Sequence, residues 1–175
     1  MSPVKFYHVS LELDYIISLF EPRVPVSIME HEDEVTPRIC ISSSIDGCLS
    51  AVPWGGANLW EYMEMNLYEE CEDENIYVRV YEFEIDANNS YLISPEKLWE
   101  SDLVRDAICN REYWYIGELI PNDTYVIAIS DWHTDTQDVL SYEDELAIQS
   151  GADYEDVWSG GVVTTVSNVK YNIVG

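Results

Sequence analysis

Four cysteines, three histidines and a run of three serines are the side chains whose types could carry nucleophilic, metal-binding or acid–base chemistry. Cys40, Cys48, Cys71 and Cys109 stand far apart, with no CxxC pair and no Cys/His cluster. That spacing builds neither a tetrahedral zinc site nor a dense disulfide framework, so reduced, half-buried thiols are expected. His133 lies between Asp131 and Asp135, a pattern that specifies no metal without further ligands. His31 sits among Glu30, Glu32 and Asp33. Neighbouring carboxylates raise its proton affinity, and divalent-cation binding there would be nonspecific. Ser42, Ser43 and Ser44 close an apolar stretch, where hydroxyls commonly satisfy the backbone of a strand end; a substrate-binding edge is the alternative. No nucleophile set stands out.

Carboxylates dominate instead. The 34 acidic residues against 8 basic ones give a formal charge of −26 over 175 residues, far beyond the ~2–8 units that solubility asks of a small domain. Direct binding to nucleic acid or to an anionic membrane is therefore not expected. Disorder does not follow from the charge, because 13 Tyr, 6 Trp and 3 Phe supply ample material for a core. No apolar run reaches the ~18 residues of a membrane span, and MSPVKFYHVSLELDY lacks the basic-then-apolar pattern of a secretory leader. A soluble, intracellular protein is expected.

The elements that must position these groups read as α+β. VKFYHVS alternates as a strand, DYIISLF as a short turn or helix, and MEHEDE as an acidic loop. PRICISSSI is a buried strand, followed by a helical turn in DGCLSAV with Ser44 or Asp46 as its N-cap. After Pro53 and Gly55-Gly56, the middle of NLWEYMEMNLYEECEDEN has helical character. NIYVRVYEFEID is the clearest strand, with Tyr77, Arg79, Tyr81 and Phe83 alternating with Val78, Val80, Glu82 and Glu84. YLISPEKLWE reads as a strand and a short helix, and REYWYIGELI and TYVIAIS as two strands joined by the PND turn. GVVTTVSNVKYNIV is a hairpin or one interrupted strand. Six to seven strands in a mixed or antiparallel sheet, with two to four short helices, form one acidic domain over 1–175. An acidic, mostly irregular extension is expected at about 131–160, with a short helix at YEDELAIQ.

In order, FYHVS, PRICISSSIDGCLSAV, VRVYEFEID and VRDAICNREYWYIGEL resemble the blocks of the ADP-ribosyltransferase-like fold as it occurs in small phage and bacterial proteins. The resemblance spans roughly the first 120 residues and leaves the acidic tail uncovered. It implies that His8 contacts bound nicotinamide adenine dinucleotide (NAD). It also implies that Glu112 or Glu118 is the carboxylate that holds the ribose hydroxyls and orients the attacking group. The alternative for His8 is a ring hydrogen-bonded to backbone at the end of the first strand, and for Glu112 an edge-strand polar residue. The ICIS strand carries Ile39, Cys40 and Ile41 where the family places a tyrosine. That departure favours a scaffold without catalysis and without a cofactor.

Two acidic tracts are interleaved with interface-forming side chains. Glu61, Glu64, Glu69, Glu70, Glu72, Asp73 and Glu74 surround Trp60 and several Tyr and Met residues, while Asp135, Asp138, Glu143, Asp144, Glu145, Asp153, Glu155 and Asp156 form the second group. Carboxylates at this density self-repel, and their association with aromatics and Met fits a partner surface better than a uniformly solvated one. The reading placed first is a nucleic-acid-mimicking inhibitor, borne by a phage or mobile element and acting in the cytoplasm of a bacterial host. It would occupy the channel of a basic nucleic-acid-binding protein such as a CRISPR effector nuclease, the strategy of many anti-CRISPR proteins. The alternatives are an NAD-dependent ADP-ribosyltransferase acting on a host protein, and an acidic adaptor or virion-associated protein.

Overall fold

The computed structural model describes residues 3–26, 28, 32–51, 59, 61, 75–158 and 161–175. In chain order it contains β1 (Val4–Ser10), β2 (Ile39–Ser42), α1 (Ile45–Ser50), β3 (Ile76–Ile85), β4 (Leu92–Ile93) and α2 (Pro95–Glu100). There follow α3 (Ala107–Asn110), β5 (Glu112–Tyr115), β6 (Asp123–Asp138), α4 (Tyr142–Gln149), α5 (Tyr154–Val157) and β7 (Val162–Ile173). The seven strands form one antiparallel sheet in the order β4, β5, β2, β1, β3, β6, β7, and the class is α+β.

Strand alternation gives the sheet two apolar faces. On one, Val9, Ile76, Val78, Val80, Ile127 and Ile129 pack against Ile45, Cys48 and Leu49 of α1. Further along the same side Trp114 packs with Leu98 of α2, Val104 and Ala107 of α3. On the other face Phe6, Ile39, Ile41, Tyr81, Phe83 and Ile85 lie beneath the segment that joins β1 to β2, which contributes Ile17 and Phe20. That segment is pinned where Ile17 N–H donates to the Tyr81 hydroxyl at 3.0 Å and Arg79 donates to the Leu13 carbonyl at 2.5 Å. DYIISLF is thus an irregular strap and not a helix, touching the sheet through Ile17 and Phe20 while Tyr15, Ile16 and Leu19 are exposed.

Several sequence expectations differ from the structure in extent. Residues 131–138, read as the start of an irregular acidic stretch, are the second half of β6. There β6 has left β3, whose pairing ends at Ile76 with Ile129, and runs on with β7 alone. One face of this stretch is covered at Trp132, which is buried with Val166 of β7 in the cluster under α1, while the other side chains of residues 131–138 are exposed or half-buried, so apolar alternation is sparse. GVVTTVSNVKYNIV is one strand interrupted at Asn168, which adopts φ 51° beside the register shifts in β6. REYWYIGELI and TYVIAIS are not sheet neighbours, since β2, β1 and β3 lie between β5 and β6. The helical middle expected for NLWEYMEMNLYEECEDEN lies almost entirely outside the described residues.

Candidate functional site

The sheet is nearly split between β2 and β1, the third and fourth strands in its order. β1 and β3 pair through seven residues and β2 and β5 through four, but β1 and β2 pair only through Tyr7 and Ser42. Beyond that point the His8 ring takes the place of the ladder, its Nδ1–H donating to the Cys40 carbonyl at 2.9 Å. A cavity of about 110 Å³ opens there, lined by His8, Val9, Cys40, Ile41, Ser42, Gly47, Cys48, Ala51, Asn110 and Glu112. Its size is comparable with the ~150 Å³ void that admits a benzene ring.

Local chain geometry places each group. Ser44 caps α1, its Oγ accepting from Gly47 N–H at 3.0 Å, so the short helix begins directly over the end of β2. Gly47 is required by close approach: a Cβ there would lie 2.2 Å from Ser42 Oγ and 2.4 Å from the Asn110 carbonyl. Asn110 ends α3, and Arg111 then takes the left-handed conformation, φ 52° and ψ 40°, before Glu112 opens β5. A bulky residue in that region is strained by ~1–3 kcal/mol, a cost concentrated at functional sites. The turn delivers Asn110 and Glu112 to one wall. Ser42 Oγ donates across the cavity floor to the Asn110 carbonyl at 3.2 Å.

Glu112 is buried and its pKa is pushed up to about 7. Burial is the main cause, and the carboxylates of Asp106 and Glu32 add to it. The Trp114 indole and the Cys40 thiol oppose the shift by hydrogen bonding, Trp114 Nε1–H donating to Glu112 Oε1 at 2.7 Å. Burial lowers the pKa of His8, and Arg23 lowers it further against the opposing bond to Cys40. At neutral pH the imidazole is therefore uncharged, with its proton on Nδ1. Phe20 and Tyr81 hold the ring, centroids 5.2 and 6.2 Å away.

Among the described residues this arrangement activates no nucleophile of its own. Burial raises the Cys48 thiol to about 12 and the Cys40 thiol well above its ordinary value, so neither is a thiolate at neutral pH. Ser42 bonds to a carbonyl and His8 to another, so they do not form a Ser/His pair. What the cavity offers is a carboxyl able to hold hydroxyls or take a proton near neutral pH, with a neutral imidazole beside it.

The structure brings His8, Ser42 and Glu112 to one cavity although they stand 34 and 70 residues apart in the chain. His8 also makes the backbone hydrogen bond weighed as its simpler role. Glu118 is exposed past the end of β5 and does not line the cavity, and Ser43 faces solvent while Ser44 serves the helix cap. Gly47, Asn110, Cys40 and Cys48 were not singled out for this site by the sequence, for which only the DGCLS turn and the Asn beside Arg111 held a signal. Of the first acidic tract, Glu61 is described and exposed; Trp60, Glu64, Glu69, Glu70, Glu72, Asp73 and Glu74 lie outside the described residues, as do Glu30, His31 and Cys71. Of the second, Asp135, Asp138, Glu143, Asp153, Glu155 and Asp156 are exposed, and Asp144 and Glu145 are half-buried in the first turn of α4. Asp131 pairs with Lys170 at 2.8 Å and His133 is exposed. Among the described residues no group of three or more His, Cys, Asp or Glu side chains is arranged to hold a metal ion, and no helix is long and apolar enough to cross a membrane.

No protein-family model, curated protein or solved structure matches the chain.

Proposed function

We propose that the cavity binds the nicotinamide end of NAD and that the protein transfers the ADP-ribosyl group to an acceptor. One observation carries the reading: His8, Ser42 and Glu112, drawn from three separate blocks of the resemblance, line a single ring-sized cavity. The dinucleotide supplies an N-glycosidic bond whose cleavage releases nicotinamide. Glu112 is the group to hold the ribose hydroxyls and accept the proton of the attacking group, and its raised pKa suits a base working near neutral pH. Neutral His8 lies at the cavity as an uncharged wall, its proton donated to Cys40. The absence of an activated nucleophile fits a reaction in which the acceptor supplies it. The cavity wall carries no aromatic besides His8 among the described residues, so grip on the nicotinamide must come from apolar contact and hydrogen bonds. Release of nicotinamide from NAD, lost in Glu112→Gln and in His8→Ala, is the expected result. Failure of NAD to bind saturably by calorimetry refutes the reading.

The acidic mimic remains a second reading, favoured by a different observation. The distal half of the β6 and β7 pair, with α4 and α5 between them, presents Asp135, Asp138, Glu143, Asp153, Glu155 and Asp156 to solvent. The basic partner would be a nucleic-acid-binding protein, and its nucleic acid should compete with this chain. A ternary complex in which neither ligand weakens the other excludes mimicry.

A further inference from the structure

We infer that Asn110 is the residue by which the cavity selects its ligand, its Oδ1 reading an N–H donor carried on a small planar ring, with a primary carboxamide as the group that fits. The inference rests on the cavity being a binding site, but not on any transfer reaction there. Asn110 is 2% exposed, and its side chain is oriented by a bond from Nδ2 to Asp106 Oδ2 at 2.8 Å. Because a carboxylate accepts from the NH2 end of an amide, that bond fixes which way Oδ1 points. Oδ1 is then a buried acceptor with no hydrogen-bond partner among the described residues, on a residue that lines the cavity. Buried polar atoms are nearly always paired, and the exceptions collect where a ligand completes them.

The backbone around Asn110 reinforces this placement. Its N–H closes α3 onto the Asp106 carbonyl at 3.1 Å, its own carbonyl accepts from Ser42, and the strained Arg111 follows at once. Every other polar atom of Asn110 is thus engaged, and the turn holds Oδ1 in place at a cost in backbone strain. The remaining wall is largely apolar, with Val9, Ile41, Cys48 and Ala51. A largely apolar slot of this volume that presents a fixed, unpaired amide oxygen beside the Glu112 carboxyl discriminates among flat rings by the donor they bring.

The experiment titrates the whole chain with two neutral probes of the same shape, benzamide and acetophenone, the second having methyl in place of NH2. Benzamide should bind about tenfold more tightly, since acetophenone leaves the acceptor unpaired. Asn110→Ala should abolish that preference. Equal affinities, binding of neither probe, or a preference that survives Asn110→Ala overturns the inference. Should Asn110→Ala fail to fold, the side-chain NH2 signals of Asn110 in the wild-type protein decide. They should shift on saturation with benzamide and not with acetophenone, and a spectrum unmoved by benzamide is fatal. Nicotinamide release from NAD without amide selectivity refutes the role of Asn110 alone. Amide selectivity in a protein that does not bind NAD refutes the transferase reading alone.

Discussion

Trp114 and Glu112 face the same side of β5, and the indole Nε1–H donates to Glu112 Oε1 at 2.7 Å. The guanidinium of Arg38 lies 4.0 Å from the centre of the same indole, its side chain wholly buried and ion-paired with Glu32. Arg38 also donates to the carbonyls of Asp33 at 2.9 Å and Thr36 at 3.1 Å. The cavity carboxyl is therefore oriented from behind, by a stack anchored in the segment that precedes β2. Within the cavity the Cys40 thiol adds a second hydrogen bond to it.

Glu112→Gln should make the fold more stable at pH 8. The folded pKa, about 7, lies above the ordinary 4.5, so the native state binds more protons than the unfolded chain between those values. Stability from this group is complete below about pH 4.5 and is lost as pH rises toward 7. At full ionisation the loss is on the order of 3 kcal/mol. Denaturant titrations of both proteins should differ at pH 8 and converge at pH 4.

Trp114→Phe keeps an aromatic ring beneath Arg38 and deletes the N–H. Because that bond favours the ionised carboxyl, the titration of Glu112 should move further above about 7. Carbon NMR of the labelled carboxyl reads this directly. Stability should fall by roughly 1–3 kcal/mol at neutral pH. An unmoved midpoint would remove the indole as the orienting group.

For Gly47→Ala, overpacking against Ser42 and Asn110 should cost about 1–3 kcal/mol. The same methyl invades the cavity, so probe binding should weaken in protein that remains folded. Alanine at Gly151, where a Cβ meets nothing within 4 Å but φ is +102°, should destabilise through backbone strain and leave binding intact. Thermal melts and calorimetry on both variants separate the two effects.

Hydrogen exchange should be slowest in β3, whose Val78, Val80 and Tyr81 are fully buried and whose strand is paired on both sides. It should be faster from Asp131 to Asp138, where β6 pairs with β7 alone. Raising ionic strength from low to physiological should raise the melting temperature, as screening relieves repulsion among 34 acidic residues.

The parts of the fold legible in the sequence were those dictated by local chemistry. Alternation in NIYVRVYEFEID marked β3, Ser44 or Asp46 was expected to cap α1 and Ser44 does, and YEDELAIQ matched α4. The far half of β6 was hidden because, apart from the buried Trp132, its side chains are polar and show no apolar alternation. Helix α3 has four residues, too few for a period to show. His8 and Glu112 were named only as what the expected resemblance implies, and Ser42 as part of a hydroxyl run closing an apolar stretch. Asn110 could not be named, since its significance arises only when Asp106 takes one end of its amide and burial isolates the other.

With β1 and β2 sharing one residue pair, the sheet divides mechanically into a slab of three strands, β4, β5 and β2, and a slab of four, β1, β3, β6 and β7. Helix α1 clasps both. Gly47 abuts Ser42 in the smaller slab, while the Ser50 hydroxyl accepts from Val166 N–H at 2.8 Å and Asp46 accepts from Asn168 and Val169 in the larger. Besides the rung, the imidazole and α1, the slabs are joined on the opposite face by the apolar cluster in which Phe6, Tyr81 and Phe83 meet Ile39, Ile41 and Tyr115. Opening the β1–β2 seam at the cavity therefore breaks one ladder rung and one imidazole bond and leaves the long ladders on either side untouched.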